Sequence, residues 1–289
     1  MSKFELHIPI KFKNSFAIDL ISSTCSLSKN QIKQAIDKGC LWLTEGKKTK
    51  RIRKIKRSLP QFGELHFYYD EQVLNQKCPV AELILDCKEY SIWYKPYGML
   101  SQGSKWSDHC TIGRWAEKHL SVQRPAFIVH RLDRAASGLI IIAHAKKAAS
   151  ALSAMFEHHQ IKKHYQIITH GKCQLNETIT VDVAVDERNA ISHFTCQSYC
   201  SDADISLLDV YIETGRKHQI RKHAKSLGLP VVGDRLHRIE NRQYPSDLNL
   251  QLCSTSMSFK CPISTKSIDL TLPEELRLNI EEVSCLLRS

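Results

Sequence analysis

The stretch HRLDRAASGLIIIA, His130 to Ala143, limits the fold more than any other part of the chain. Leu139–Ala143 is a short continuous apolar run, the pattern of a buried strand when turn residues bound it. Ala135-Ala136-Ser137-Gly138 before it is a tight small-residue segment. It sets Asp133 on a loop at the mouth of a sheet, a place where functional groups are commonly carried. Asp133 stands between Arg131 and Arg134, with His130 just upstream. An acid in that company is either a surface ion-pair group or a site carboxylate, and local sequence leaves both open.

The rest of the chain fixes what kind of sheet this is. Leu83–Leu85 and Tyr90–Tyr94 read as two strands around the polar turn Asp86–Glu89, and Lys95-Pro96-Tyr97-Gly98 is a further turn. After Ala143 the apolar period changes. Ala145, Ala148, Ala149, Leu152 and Phe156 recur at helical spacing, which predicts a helix over 145–159. KKHYQIITHG follows, a strand near Tyr165 that stops at Gly171. Leu207 to Glu213 is another strand, and a helix is expected over 217–227 with Gly228 at its end. Two more strands fall near 252–259 and 267–270. Helices and strands mix without regular alternation, so the class is α+β with a largely antiparallel sheet flanked by helices.

The N-terminal part differs in charge. In KKTKRIRKIKR, Lys47 to Arg57, eight of eleven residues are basic. Ordered sequence surrounds this run. Ser28 is an N-cap with Gln31 as its capping-box partner, Ile32, Ala35 and Ile36 form one stripe, and Gly39 closes the helix. Lys29 and Lys33 share another face. Residues 1–72 therefore read as a small α/β unit with a basic face, 73–80 as a linker and 81–289 as a larger domain. Over the 289 residues Lys and Arg number 41 against 30 Asp and Glu, a net charge of +11. Such an excess favours a polyanion, because basic side chains attract phosphates and gain from counterion release.

Several classes are disfavoured. No apolar run approaches the roughly 20 residues that span a membrane. The first residues lack a secretory apolar segment, so the expected location is the cytoplasm. The 11 cysteines are an odd number without a Cys-x-x-Cys pair, a pattern of reduced thiols rather than of a zinc site.

A second basic cluster lies in ETGRKHQIRKHAKSLGLPVVGD, Glu213 to Asp234. Lys217, Arg221 and Lys225 fall at i, i+4 and i+8, a column of like charge that would face an anion such as a phosphate or the Asp133 carboxylate. Taken with Asp133 and Tyr165, this cluster makes a specific set. The chain resembles the RluA family of RNA pseudouridine synthases. HRLDRAASGL, YKPYG, KKHYQIITHG and TGRKHQIRKHAKSLGLPVVGD match that family's motifs in its order, over about residues 81–273. Residues 1–72 resemble, in part, an S4-type RNA-binding domain. There are departures: Ala136 stands in place of a threonine, His237 of a tyrosine, and Cys253-Ser254 of a His-Ala pair.

The resemblance implies conversion of uridine to pseudouridine in RNA, with no cofactor and no metal. The base must leave its stack, and a carboxylate must work near the sugar–base junction. Asp133 is that group, as nucleophile or in removal of a sugar proton. Arg221 is the fixed cation that keeps it ionised in a dry pocket, and Tyr165 is placed to stack on the flipped uracil. Lys95, Arg131, Arg134 and Arg216 are expected to hold phosphates or position loops, and His130 to contact RNA. Lys29, Lys33, Arg51 and Arg53 are expected to hold RNA in the N-terminal unit. The expected partner is RNA, ribosomal first and transfer RNA second, bound by a monomer. Two rival readings are an inactive RNA-binding protein and a metal-dependent hydrolase using His218, His223 and Asp133.

Overall fold

The computed structural model describes residues 2–53, 58–174, 177–237, 244–245 and 248–288. The last four residues of the basic run, 54–57, lie outside them. The chain forms two compact units. Unit 1 is Met1–Pro79 with Gln102–His119, and unit 2 is Val80–Ser101 with Leu120–Ser289. This partition differs from the 73–80 linker and the 81–289 domain read from sequence. Leu74 ends a short helix and is buried in the first core, and the excursion 102–119 belongs to unit 1. Among the described residues no helix is long and apolar enough to cross a membrane.

Unit 1 is a four-stranded antiparallel sheet backed by helices. Its strands are β1 (Lys3–Pro9), β2 (Leu41–Glu45), β3 (Lys48–Arg51) and β4 (Glu64–Asp70), in the order β1-β4-β2-β3. The helices are α1 (Ala17–Ser22), α2 (Lys29–Asp37), α3 (Glu71–Leu74) and α4 (Ile112–His119). The Ser28 hydroxyl accepts from the Gln31 N–H, and the Gln31 side chain accepts from the Ser28 N–H, so the expected capping box starts α2. Ile32, Ala35 and Ile36 then meet Leu41, Leu43, Leu65 and Phe67, the inward residues of β2 and β4. Each fully buried Leu, Ile or Phe of this set contributes about 1.5–3 kcal/mol.

Unit 2 is built on a ten-stranded sheet. Its strands are β5 (Glu82–Asp86), β6 (Tyr90–Lys95), β7 (Phe127–Ile128), β8 (Ser137–Ala143), β9 (Lys162–His170), β10 (Thr178–Asp182), β11 (Ile191–Cys200), β12 (Ile205–Ile212), β13 (Leu252–Lys260) and β14 (Ser267–Thr271). The order is β10-β11-β12-β9-β13-β8-β6-β5, with β14 beside β13 and β7 beside β8. Only the β13–β8 pair is parallel among the described strands, so the sheet is mixed and largely antiparallel, as expected. The helices are α5 (Lys146–Glu157), α6 (Gln219–Ser226) and α7 (Ile280–Arg288). Leu139, Ile141 and Ala143 of β8 pack with Ala148 and Leu152 of α5, and every residue from Gly138 to Ala143 is buried.

One difference has a local cause. The helix read over 217–227 begins two residues later, because His218 takes a left-handed conformation at φ 55° and serves as the N-cap. Lys217 therefore precedes the helix, and Arg221 is buried. The like-charged column is not a single exposed face.

Candidate active site

The site is assembled where three neighbouring strands, β9, β13 and β8, are in step. Ser254 on β13 pairs with Tyr165 on β9 and with Gly138 on β8, which puts the three residues in one row. Gly138 is required there. At φ +110° a Cβ on it would lie 2.3 Å from the Ser254 carbonyl oxygen and 2.4 Å from its nitrogen. The close approach of β8 and β13 brings the loop that carries Asp133 toward the strand that carries Tyr165.

Two loops of unit 2 are tied together beneath Asp133. Lys95 ends β6 and is fully buried. Its Nζ donates to the carbonyls of Pro96, Met99 and Ala136 at 3.1, 3.0 and 2.6 Å. The Ser101 hydroxyl donates to the Leu132 carbonyl and accepts from the Leu132 N–H. Gly98 N–H donates to the Arg134 carbonyl, and Arg134 Nε returns a bond to the Gly98 carbonyl at 3.2 Å. The Ala136 N–H closes a turn onto the Asp133 carbonyl. Burial pushes the Lys95 amine down to about 7, opposed by the nearby Asp133 charge. Three acceptors around one Nζ match the three protons of an ammonium.

Arg221, from the first turns of α6, lies between two carboxylates. Its Nη1 donates to Asp133 at 3.2 Å, while Nε and Nη2 donate to Asp234 at 2.7 and 2.6 Å. Arg221 and Asp234 are buried, whereas the Asp133 side chain keeps 28% of its surface exposed. Asp234 also accepts the N–H groups of Leu236 and His237. Burial would raise the Asp234 carboxyl, but Arg221 and these two N–H groups hold it below the ordinary carboxylate range. Burial would likewise lower Arg221, and the two carboxylates hold its guanidinium above its usual value. One guanidinium thus faces two carboxylates, held closely by the buried Asp234 and more loosely by the partly exposed Asp133.

His218 and His237 complete this side. His218 Nε2 is 3.6 Å from Asp133, and its Nδ1 is 3.0 Å from His237 Nε2. Burial lowers both imidazoles. Tyr165 is buried, and burial raises its phenol well above the ordinary value, with the Asp133 charge acting the same way and a Ser254 hydrogen bond opposing. The phenol therefore keeps its proton at neutral pH.

The structure sorts the remaining expectations. Arg131 is exposed beside Asp133 and Arg134 is an exposed group that braces the loop. Arg216 is half-buried and bonds the Asn189 carbonyl. Lys95 positions the loops and has no surface left for a phosphate. His130 is turned into the fold rather than toward RNA. Its Nε2 accepts the Ile141 N–H, its ring stacks on Phe156, and burial pushes it down to about 3, so it is a neutral structural acceptor. In unit 1 Lys29 and Lys33 are exposed, Lys29 paired with Asp19 at 2.7 Å. Arg51 and Arg53 both pair with Asp108, and Arg51 stacks on Trp42, which removes them from the free basic face. His223 is buried against Ser192 and Val183, so the hydrolase triad is not assembled. Asp234 and Ser254 were given no role from sequence. Asp234 lay within the quoted Gly-Asp motif, and its neighbour Gly233 at φ +75° was the available signal.

Residues 89–226 match the profile described as RNA pseudouridylate synthase. Over those residues the chain matches the RNA pseudouridylate synthase family. It is an isomerase that acts on RNA. It is 25% identical over 290 residues to the "Ribosomal large subunit pseudouridine synthase D" of Zymomonas mobilis, covering 90% of each chain. It is 27% identical over 231 residues to the "tRNA pseudouridine synthase C" of Pectobacterium carotovorum, covering 67% of this chain and 59% of that one. The fold is shared with "Human RNA Pseudouridylate Synthase Domain Containing 1", at 17% identity and a TM-score of 0.56, over 73% of this chain and 95% of that one.

Proposed function

We propose that this pseudouridine synthase is of the RluA type and acts through Asp133, with ribosomal RNA as its first substrate and transfer RNA as the second. The observation that carries the reading is the Asp133–Arg221 pair: a partly exposed carboxylate whose cation is itself buried and anchored by Asp234. The reaction breaks the N–C bond between uracil and ribose and forms a C–C bond at C5 of the same base. A carboxylate at the sugar–base junction serves it as nucleophile or by taking a sugar proton. Arg221 keeps that oxygen pair charged when RNA excludes water. Tyr165 offers a flat ring to the extruded base, with its hydroxyl protonated. Arg131, Arg134 and Arg216 then meet the phosphates.

Residues 1–72 act, in this reading, as an S4-like RNA-binding domain ahead of the catalytic domain. The basic run and exposed Lys29 and Lys33 support it, as does the capped helix α2. The substrate order rests on the ribosomal relative, which matches over more of the chain than the transfer-RNA one. The enzyme is taken to work as a cytoplasmic monomer, without metal or cofactor in the reaction.

The test is release of tritium from C5-labelled uridine in RNA by wild type and Asp133→Asn, with RNA affinity and folding measured alongside. The expected result is loss of release with affinity and folding kept. A variant that still turns over would remove Asp133 from the chemistry. Mapping pseudouridines in total RNA with and without the gene decides between ribosomal and transfer RNA.

A further inference from the structure

We propose that His7, His66 and Glu64 form a site for a borderline divalent cation of the zinc class on unit 1, on the face of the four-stranded sheet opposite its core. His7 on β1 and His66 on β4 are direct partners across the strands, and Glu64 lies two residues from His66 on the same face. One ligand atom from each of the three falls within 4.8 Å of the others. Ligands around a tetrahedral zinc with bonds of about 2.0–2.1 Å lie roughly 3.3 Å apart, so the three must draw together by up to about 1.5 Å. The closing movement is that of side chains, with His7 exposed and Glu64 and His66 half-buried.

The lone pairs supply the second argument. The two Nδ1 atoms face each other at 2.7 Å. On the far side of each ring an oxygen lies near Nε2 and can accept a proton held there. Glu5 is 3.7 Å from Nε2 of His7, and the Thr44 hydroxyl is 2.7 Å from Nε2 of His66. In the tautomer with the proton on each Nε2, both Nδ1 lone pairs point into the same space, where a cation fits between them. A carboxylate or hydroxyl behind a ligating imidazole is the usual outer shell of a metal site. The Glu64 carboxylate, 3.8 Å from Nε2 of His66, becomes the third ligand by turning toward the Nδ1 side, and water completes the four. Two imidazoles and one carboxylate suit zinc better than magnesium or calcium, which prefer oxygen alone.

A bound ion ties β1 to β4 and takes no part in the isomerase site, so its role is to fasten the N-terminal strand.

The full chain, stripped with chelator, is dialysed against micromolar zinc chloride beside His7→Gln and Glu64→Gln. Wild type is expected to hold one more zinc per chain than either variant and to melt a few degrees higher with zinc, a gain the variants lack. The ring resonances of His7 and His66 move on the addition of zinc to wild type. Comparison with the variants removes any zinc taken up by the cysteines, and isomerase activity is unchanged in His7→Gln. Equal zinc content in wild type and both variants, unmoved ring resonances, or saturation only at millimolar zinc would each overturn the site. Should His7→Gln fail to fold, Glu64→Gln and the wild-type resonances still decide it.

Discussion

Arg221 gives Asp234 two hydrogen bonds, at 2.6 and 2.7 Å, and gives Asp133 one, at 3.2 Å. The buried acid is the anchor and the exposed acid receives the remaining edge of the fork. A site carboxylate must sit beside a cation and yet be free to react, and this unequal sharing provides both. It also explains why the cation is an arginine. A lysine presents a compact charge that cannot span two carboxylates in one plane.

Arg221→Lys is therefore expected to keep a positive charge and still lose activity on the order of 100-fold. Asp234→Asn breaks the buried pair and should cost about 3–5 kcal/mol of stability. It also lets the guanidinium swing fully onto Asp133. The measurement is a denaturant melt together with single-turnover kinetics on RNA. If Asp234→Asn melts like wild type with unchanged turnover, the anchoring role is wrong.

Gly138 controls the distance between β8 and β13. A methyl group there would meet Ser254 backbone atoms at 2.3 and 2.4 Å, at a φ that side chains rarely adopt. Gly138→Ala is expected to cost about 2–4 kcal/mol. It should lower turnover more than RNA affinity, because the row Tyr165–Ser254–Gly138 no longer holds its spacing. Gly228→Ala is the comparison. That glycine is also at positive φ, but nothing lies within 4 Å of its missing side chain, so it should be milder and leave turnover near normal.

Much of this was legible in the sequence where a signal was local. The capping box at Ser28 and Gln31, the helix ending before Gly39 and the buried run Leu139–Ala143 all depend on neighbours along the chain. Motif order brought Asp133, Arg221 and Tyr165 together as candidates, and Asp133 and Arg221 do meet. What sequence did not show depends on partners distant in the chain. The left-handed His218 leaves Lys217 outside α6, and the fork of Arg221 reaches Asp234 on a separate segment. Arg51 and Arg53 looked like free basic groups until Asp108, more than fifty residues away, paired with both. His130 looked like a site residue because it adjoins Asp133, yet its ring bonds and stacks within unit 2.

Lys95 is expected to behave as a brace. Replacing it with Met keeps the length of the side chain and leaves three buried carbonyls without their donor, with each orphaned group costing about 1–3 kcal/mol. Relief from burying a charge offsets part of that, so Lys95→Met should lose about 2–4 kcal/mol in a chemical melt. Turnover should fall as well, since Pro96, Met99 and Ala136 fix the loop under Asp133. RNA affinity should change little, because the Nζ is buried. A pure drop in affinity with normal turnover would return Lys95 to the phosphate contacts.

His130 gives the chain a defined sensitivity to acid. In the folded state burial holds its imidazole near 3, while its ordinary value is 6.5. Between those values the unfolded chain binds a proton that the folded chain refuses. The unfolded state is thus favoured as the pH falls from 6.5 toward 3, and this contribution to stability is whole again above 6.5. The slope from this one group is about 1 kcal/mol per pH unit. His130→Gln keeps an acceptor for the Ile141 N–H and removes the titration, so its stability should fall less steeply over that window. Chemical melts of both proteins from pH 7 to pH 4.5 supply the comparison, and the difference between the two curves should grow as the pH drops. Parallel curves would mean that the imidazole is already protonated in the folded chain and that Ile141 bonds elsewhere.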